Sequence, residues 1–207
     1  MSHNMAAIGK LCGRCLILKD GQVLFAGTTN DALSHYLKIG EHSDGVRTWD
    51  AAVPNVHDAR FKMLAARILT PAGKITGHVD IRHPVTIELE YSILETLSQF
   101  RIGLQLSASD GAIAFTTSDS TDPGYETKAR AAGAYTTRCV IPGNLLNEGF
   151  YSLRVSADIP FQKTLFLEEG ALGFFVEQTS EFFTRFPDKW AGAVCPHFEW
   201  QTRPVKK

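Results

Sequence analysis

At 207 residues the chain has room for one domain with an appendage, or for two small domains. Its 44% hydrophobic content is ordinary for a globular protein with a real core. A formal charge of −1 lacks the basic excess of a dedicated nucleic-acid binder, and no apolar run approaches the ~20 residues of a membrane-crossing helix.

Met5, Ile8, Leu11 and Cys12 stand at helical spacing and predict a short helix over residues 5–12. Cys15 to Leu18 reads as a strand, Asp20-Gly21 as a hairpin turn and Val23 to Ala26 as the returning strand. Thr28 or Thr29 caps a further helix expected over 30–38, with Leu33, Tyr36 and Leu37 on one face. Such a helix–hairpin–helix unit, residues 1–39, is too small to bury a core of its own and needs a partner. Residues 40–60 are polar at the start, carry Pro54-Asn55 and keep no sustained period. They read as a linker with one short anchored segment at Val46 to Trp49.

From residue 61 to 207 the pattern is β throughout. Ala66 to Thr70 is a strand closed by the turn Pro71-Ala72-Gly73-Lys74. Val85, Ile87, Leu89 and Tyr91 alternate with Thr86, Glu88, Glu90 and Ser92, as a half-buried strand does. Phe100, Ile102, Leu104 and Leu106 alternate with Arg101, Gly103, Gln105 and Ser107; Asp110-Gly111 turns the chain; Ile113, Phe115 and Thr117 are then expected to point inward. Further strands are expected at Tyr135 to Ile141, at Tyr151 to Ala157, at Leu172 to Val176 and, last, at Val194 to Trp200. A piece near 180–187 fits either a helix or an extended loop. The cadence gives an all-β class: an Ig-like antiparallel sandwich with the small helix–hairpin–helix appendage before it.

Motifs of catalysis are missing from the sequence. It has no GxSxG elbow, no HExxH and no GxxxxGK[ST] phosphate loop, so neither an acyl-transfer centre nor ATP hydrolysis is expected of it. Cys12 and Cys15 form a CxxC without a second pair to complete a zinc site; with Cys139 and Cys195 they are expected to be reduced and structural. His78 and His83 read as solvated loop histidines rather than a metal pair. Asp119, Asp122 and Glu126, around Pro123-Gly124, fit no EF-hand and read as a solvated loop. No metal and no cofactor is expected.

The polar side of the alternating strands is the better candidate. Arg101, Gln105 and Ser107 face outward on one strand, Ser152, Arg154, Ser156 and Asp158 on a second, Phe175 and Glu177 on a third. In an Ig-like topology these strands are neighbours. Sugar hydroxyls take planar bidentate partners, and the C–H face of a sugar ring packs on an aromatic one. The candidate glycan-binding set is therefore Arg101, Gln105, Ser107, Arg154, Ser156, Phe175 and Glu177. The plainer reading is that every antiparallel sheet has one solvated face. A glycosidase would need a carboxylate pair across a groove, for which Asp158 and Glu177 are the candidates.

The order of the N-terminal pieces resembles the last stretch of an ABC-transporter ATPase domain: Ser2-His3-Asn4-Met5, Leu11-Cys12-Gly13-Arg14-Cys15, Leu18-Lys19-Asp20-Gly21 and Val23-Leu24-Phe25-Ala26-Gly27. His3 would be the remnant of its switch histidine, with no phosphate loop to act on. Residues 61–200 resemble the C-terminal domain of Wzt-type proteins, the ATPase subunits of ABC exporters of O-antigen polysaccharide. That likeness rests on Arg101-Ile102-Gly103-Leu104, Asp110-Gly111 with Phe115, Gly149-Phe150-Tyr151 with Leu153, and the ending Gly192-Ala193-Val194-Cys195-Pro196-His197-Phe198-Glu199-Trp200. It implies a non-catalytic carbohydrate-binding module that recognises a finished, in some cases end-modified, polysaccharide and couples it to export. It also implies a homodimer formed by exchange of the last strand, here residues 194–200. The transmembrane exporter subunit is an implied partner through the ATPase domain, with a location on the cytoplasmic side of the inner membrane. The alternative is a dimerisation domain of the exporter subunit without glycan affinity.

Overall fold

The computed structural model describes residues 12–19, 21–29, 32, 45–50, 58–123, 125, 129–179, 191–196 and 198–205. The first unit is a hairpin of β1 (Arg14–Lys19) and β2 (Gln22–Thr28), turned at Gly21 with φ 79°, where a left-handed residue favours glycine. Of the predicted helices over 5–12 and 30–38 only Cys12 and Ala32 are described, and the piece at 180–187 lies outside the described residues. The structure lends the helical part of the appendage no support.

The rest is a two-layer β-sandwich. One sheet has four strands: β3 (Val46–Thr48), β4 (Phe61–Leu69), β6 (Val85–Ile93) and β9 (Gly133–Ile141), in the order β3-β4-β6-β9. The other has five: β5 (His78–Asp80), β7 (Arg101–Ala108), β8 (Ile113–Ser118), β10 (Gly149–Ile159) and β11 (Lys163–Glu177), in the order β5-β11-β10-β7-β8. Val46–Thr48, within the stretch read as a linker, supplies the edge strand β3 beside β4.

Period-two burial explains why these segments pair. Ile87, Leu89, Tyr91 and Ile93 of β6 and Leu153, Val155 and Ala157 of β10 are buried, while their alternate neighbours face out. The inner faces meet in one core, where Phe61 lies against Tyr91, Phe100 and Phe166 with ring centroids 5.5–5.9 Å apart. The β3 side is closed: Trp49 packs edge-on against Phe166 and donates Nε1–H to Glu168 Oε2 at 2.7 Å, and Arg47 lies over the Trp49 ring while pairing with Glu168.

Two expectations are corrected. Ile113 was expected to point inward, but the register shift between Leu106 and Ser107 sets Ile113 opposite Ser107 and Phe115 opposite Leu106. The extra residue, Ala114, turns Ile113 to the outer side, where it is 60% exposed. Val194 to Trp200 is not a strand: Val194 makes one bridge to Leu146, Cys195 N–H donates to Leu145 O at 2.8 Å, and Phe198 and Trp200 stand exposed beyond. The sandwich is antiparallel, as expected, in every strand pairing but one: β5 joins β11 in parallel register, Phe175 beside His78.

Candidate functional site

The three strands expected to be neighbours are neighbours: β7, β10 and β11 are consecutive in the five-stranded sheet. Their register arranges the outward residues in rungs. Arg101 pairs with Asp158, Gly103 with Ser156, Gln105 with Arg154 and Ser107 with Ser152 across β7 and β10. Ser152 continues to Gly173, and Phe150 to Phe175, across β10 and β11; Phe175 continues to His78 on β5.

Each rung has its own chemistry. Arg101 chelates Asp158, Nε to Oδ1 at 2.9 Å and the terminal nitrogen to Oδ2 at 2.5 Å, and this carboxylate raises the Arg101 pKa further above its ordinary value. Ser156 Oγ lies 3.5 Å from Gly103 O and fills the space above that glycine, where a Cβ would come within 2.9 Å of it. Arg154 donates to Gln105 Oε1 at 3.0 Å and pairs through Nε with Glu169 Oε1 at 3.1 Å. Glu169 and the left-handed Gly170 sit where the β10–β11 register shifts between Leu153 and Val155; this bulge brings the carboxylate to Arg154. The next rung, Ser107 and Ser152, is made of small half-buried side chains.

Aromatic residues form the far wall. Phe150 is buried, and its ring lies over Gly173, where an added Cβ would stand 2.3 Å from it. It meets Phe175 edge-on at 4.9 Å. Phe175 is stacked in turn on His78, centroids 5.3 Å apart and planes at 19°. His78 Nδ1 is 2.6 Å from Glu177 Oε1. One rung of small residues, Ser107, Ser152 and Gly173, thus lies between an arginine–amide–carboxylate group and an aromatic one, and this difference in side-chain size makes a trough with a serine floor.

All seven residues named from the sequence thus lie on this one face, with Arg101 at its far end. Sequence reasoning placed Ser152 on this outward face but left it out of the candidate set, and it missed Phe150, Glu169 and His78 as parts of the trough. Ser152 and Phe150 were legible as neighbours in the same alternation, whereas His78 required the parallel β5–β11 pairing. Asp158 and Glu177 do not form a hydrolytic pair. Phe150, level with Phe175, and Asp158 stand eight residues apart on β10, on the order of 26 Å at ~3.3 Å per residue, with Glu177 beyond. Glycosidase carboxylates sit no more than about 9.5 Å apart.

A cleft of about 410 Å³ opens at one edge of the sandwich, between the edge strands β8 and β9 of the two sheets. Its floor is Ile87, Leu89, Phe100, Ile102 and Leu104. Several of the polar groups around it are already engaged. Asp119 accepts Ile102 N–H at 3.0 Å and pairs with Arg130; Arg130 also reaches Tyr91 OH and lies 4.8 Å over the Phe100 ring. Tyr125 OH donates to Gln99 O at 2.7 Å. Burial raises the pKa of Tyr91 and of the Cys139 thiol that lines the cleft. Among the described residues no buried side-chain nitrogen or oxygen lacks a partner. What the cleft offers is apolar surface and the unpaired edges of β8 and β9.

No family model matches the sequence, and no curated protein matches it. Among solved structures the chain is similar to the crystal structure of the C-terminal domain of Wzt, with a TM-score of 0.60 at 12% sequence identity. The likeness covers 81% of this chain and 99% of that one, and at that identity it is a likeness of fold.

Proposed function

We propose that this sandwich is a non-catalytic glycan-recognition module of a polysaccharide ABC exporter. The observation that carries the reading is the trough on the outer face of β7, β10 and β11, on a sandwich folded like the C-terminal domain of Wzt. Arg154 and Gln105 supply planar hydrogen-bonding groups beside a serine floor, and Phe150, Phe175 and His78 supply an apolar wall. Coupling of an export-ready, O-antigen-like polysaccharide to the transmembrane exporter subunit belongs to the same reading. Isothermal titration with the export-ready polysaccharide tests it: binding is expected, and Arg154→Ala weakens it. Absence of any binding removes the function, whereas binding indifferent to Arg154→Ala moves the site.

A second reading, pairing of exporter subunits without glycan affinity, is favoured by the C-terminal stretch. Phe198 and Trp200 are 67% and 88% exposed, two residues apart, beyond the bridge at Val194. Such a segment suits strand exchange with a second copy, whose β8 and β9 edges are unpaired among the described residues. Light scattering on the chain and on a form ending before Val194 distinguishes the outcomes. A dimer lost on truncation supports exchange; a monomer in both argues against it.

A further inference from the structure

Resting on the glycan-recognition reading, we infer that the trough takes an uncharged stretch of glycan and not a phosphorylated, sulfated or uronic-acid one. Anionic sugars are held by cations whose charge is not already spent, above all guanidiniums open to bidentate contact. On this face the guanidiniums are spent. Arg101 is chelated by Asp158, Arg154 is paired with Glu169, and Arg82, at the end of β5, is chelated by Asp80. Glu177 is the remaining carboxylate and holds His78 Nδ1. Three guanidiniums therefore meet four carboxylates among the described residues of the face, and no surplus positive charge is left to draw an anion.

The same pairs suit neutral hydroxyls. A guanidinium held by a carboxylate is fixed in orientation and keeps N–H groups at its margin, so it donates without attracting charge. With Nδ1 engaged by Glu177, His78 has Nε2 left for a hydroxyl. The serine floor and aromatic wall add contacts that are indifferent to charge.

The experiment uses the full chain and matched polysaccharide pairs with a common backbone: dextran and dextran sulfate, galactan and galacturonan, mannan and phosphomannan. Affinity electrophoresis and titration are run at low and high salt. At least one neutral member is expected to bind, its charged counterpart no more tightly, with less than about twofold change in affinity as salt rises, since uncharged contacts are not screened. Glu169→Gln, which releases Arg154 at an exposed position, is expected to raise affinity for the charged counterpart at least about fivefold, the worth of one surface charge contact. A charged member bound tenfold tighter than its neutral counterpart by the unaltered chain, and lost in salt, overturns the inference and leaves glycan recognition standing. Failure to bind any member of either set removes the glycan reading and this inference together.

Discussion

His78 lies parallel to Phe175, 5.3 Å away, while its Nδ1 meets the carboxylate of Glu177 two residues further along the same strand. One histidine thus joins an aromatic and an acidic residue of β11 from the edge strand β5. Phe175 is therefore not a bare platform: His78 covers one side and Phe150 meets it edge-on. The exposed part of this wall is the imidazole.

His78→Ala should weaken glycan binding more than it weakens the fold. The side chain is half exposed, so its removal is expected to cost under about 1 kcal/mol of stability. Its loss uncovers Phe175 and frees Glu177, and affinity is expected to fall about tenfold, the scale of one aromatic contact. Titration beside a urea melt measures both. A melt shifted as much as the binding would make His78 a structural residue.

Gly173→Ala is expected to act through Phe150. The new Cβ would stand 2.3–3.4 Å from three atoms of that ring, so the ring must move off the strand. Overpacking of this kind costs ~1–3 kcal/mol, and the displaced ring changes the trough wall. Thermal unfolding should show the loss of stability and titration the loss of affinity. An unchanged affinity with a lowered melting point would place Phe150 outside the site.

The sandwich was legible because its strands obey a single period. Ile102, Leu104 and Leu106 against Arg101, Gln105 and Ser107 fix which side of β7 is wet, and Leu153 and Val155 against Ser152, Arg154 and Ser156 do the same for β10. Ile113 was misplaced because one extra residue reverses every side chain beyond it, and nothing local marks Ala114 as that residue. His78 was misread because a three-residue strand has too little pattern to announce itself, and its parallel partner lies far along the chain. The ion pairs were illegible for a related reason: Glu169 reaches Arg154 only through the bulge at Gly170.

Acid should destabilise the domain partly through Asp58. Its buried carboxylate is chelated by Arg60 and reached by Lys163 at 2.8 Å. Arg60 first, then Lys163, hold its pKa well below the ordinary carboxylate range despite the opposing effect of burial. A pKa depressed by folding gives stability that is present above the unfolded value of ~3.9 and lost as pH falls toward the folded one. Asp58→Asn is expected to cost ~1–3 kcal/mol at neutral pH, because Arg60 and Lys163 lose their counter-charge. The gap between variant and parent should narrow below about pH 4. Urea melts across pH 2.5–7 check the sign, and a gap that widens in acid would exclude this assignment.

Tyr151 links the core to the C-terminal stretch, and its removal separates the two readings of that stretch. The ring is buried and stacked on Phe174, and burial pushes the phenol pKa up to about 12. Its hydroxyl lies 2.9 Å from Asn147 O and 2.7 Å from Ala193 O, sharing one proton between two carbonyls. Tyr151→Phe keeps the ring and deletes the tie, at an expected cost of ~1–2 kcal/mol. Residues 191–196 then keep the Cys195–Leu145 and Asn147–Ala193 backbone bonds and the Asn147 amide bond to Gly192 O. If a second copy takes up the stretch that carries Phe198 and Trp200, loosening its root should change the monomer–dimer balance, read by light scattering across a dilution series. Glycan affinity on the β7–β10–β11 face should stay within about twofold, since the deleted hydroxyl lies on the core side of β10, opposite the outward Phe150 and Ser152. A variant that loses glycan affinity while its dimerisation is untouched would reverse that assignment, tying the tail to the trough and not to a second copy.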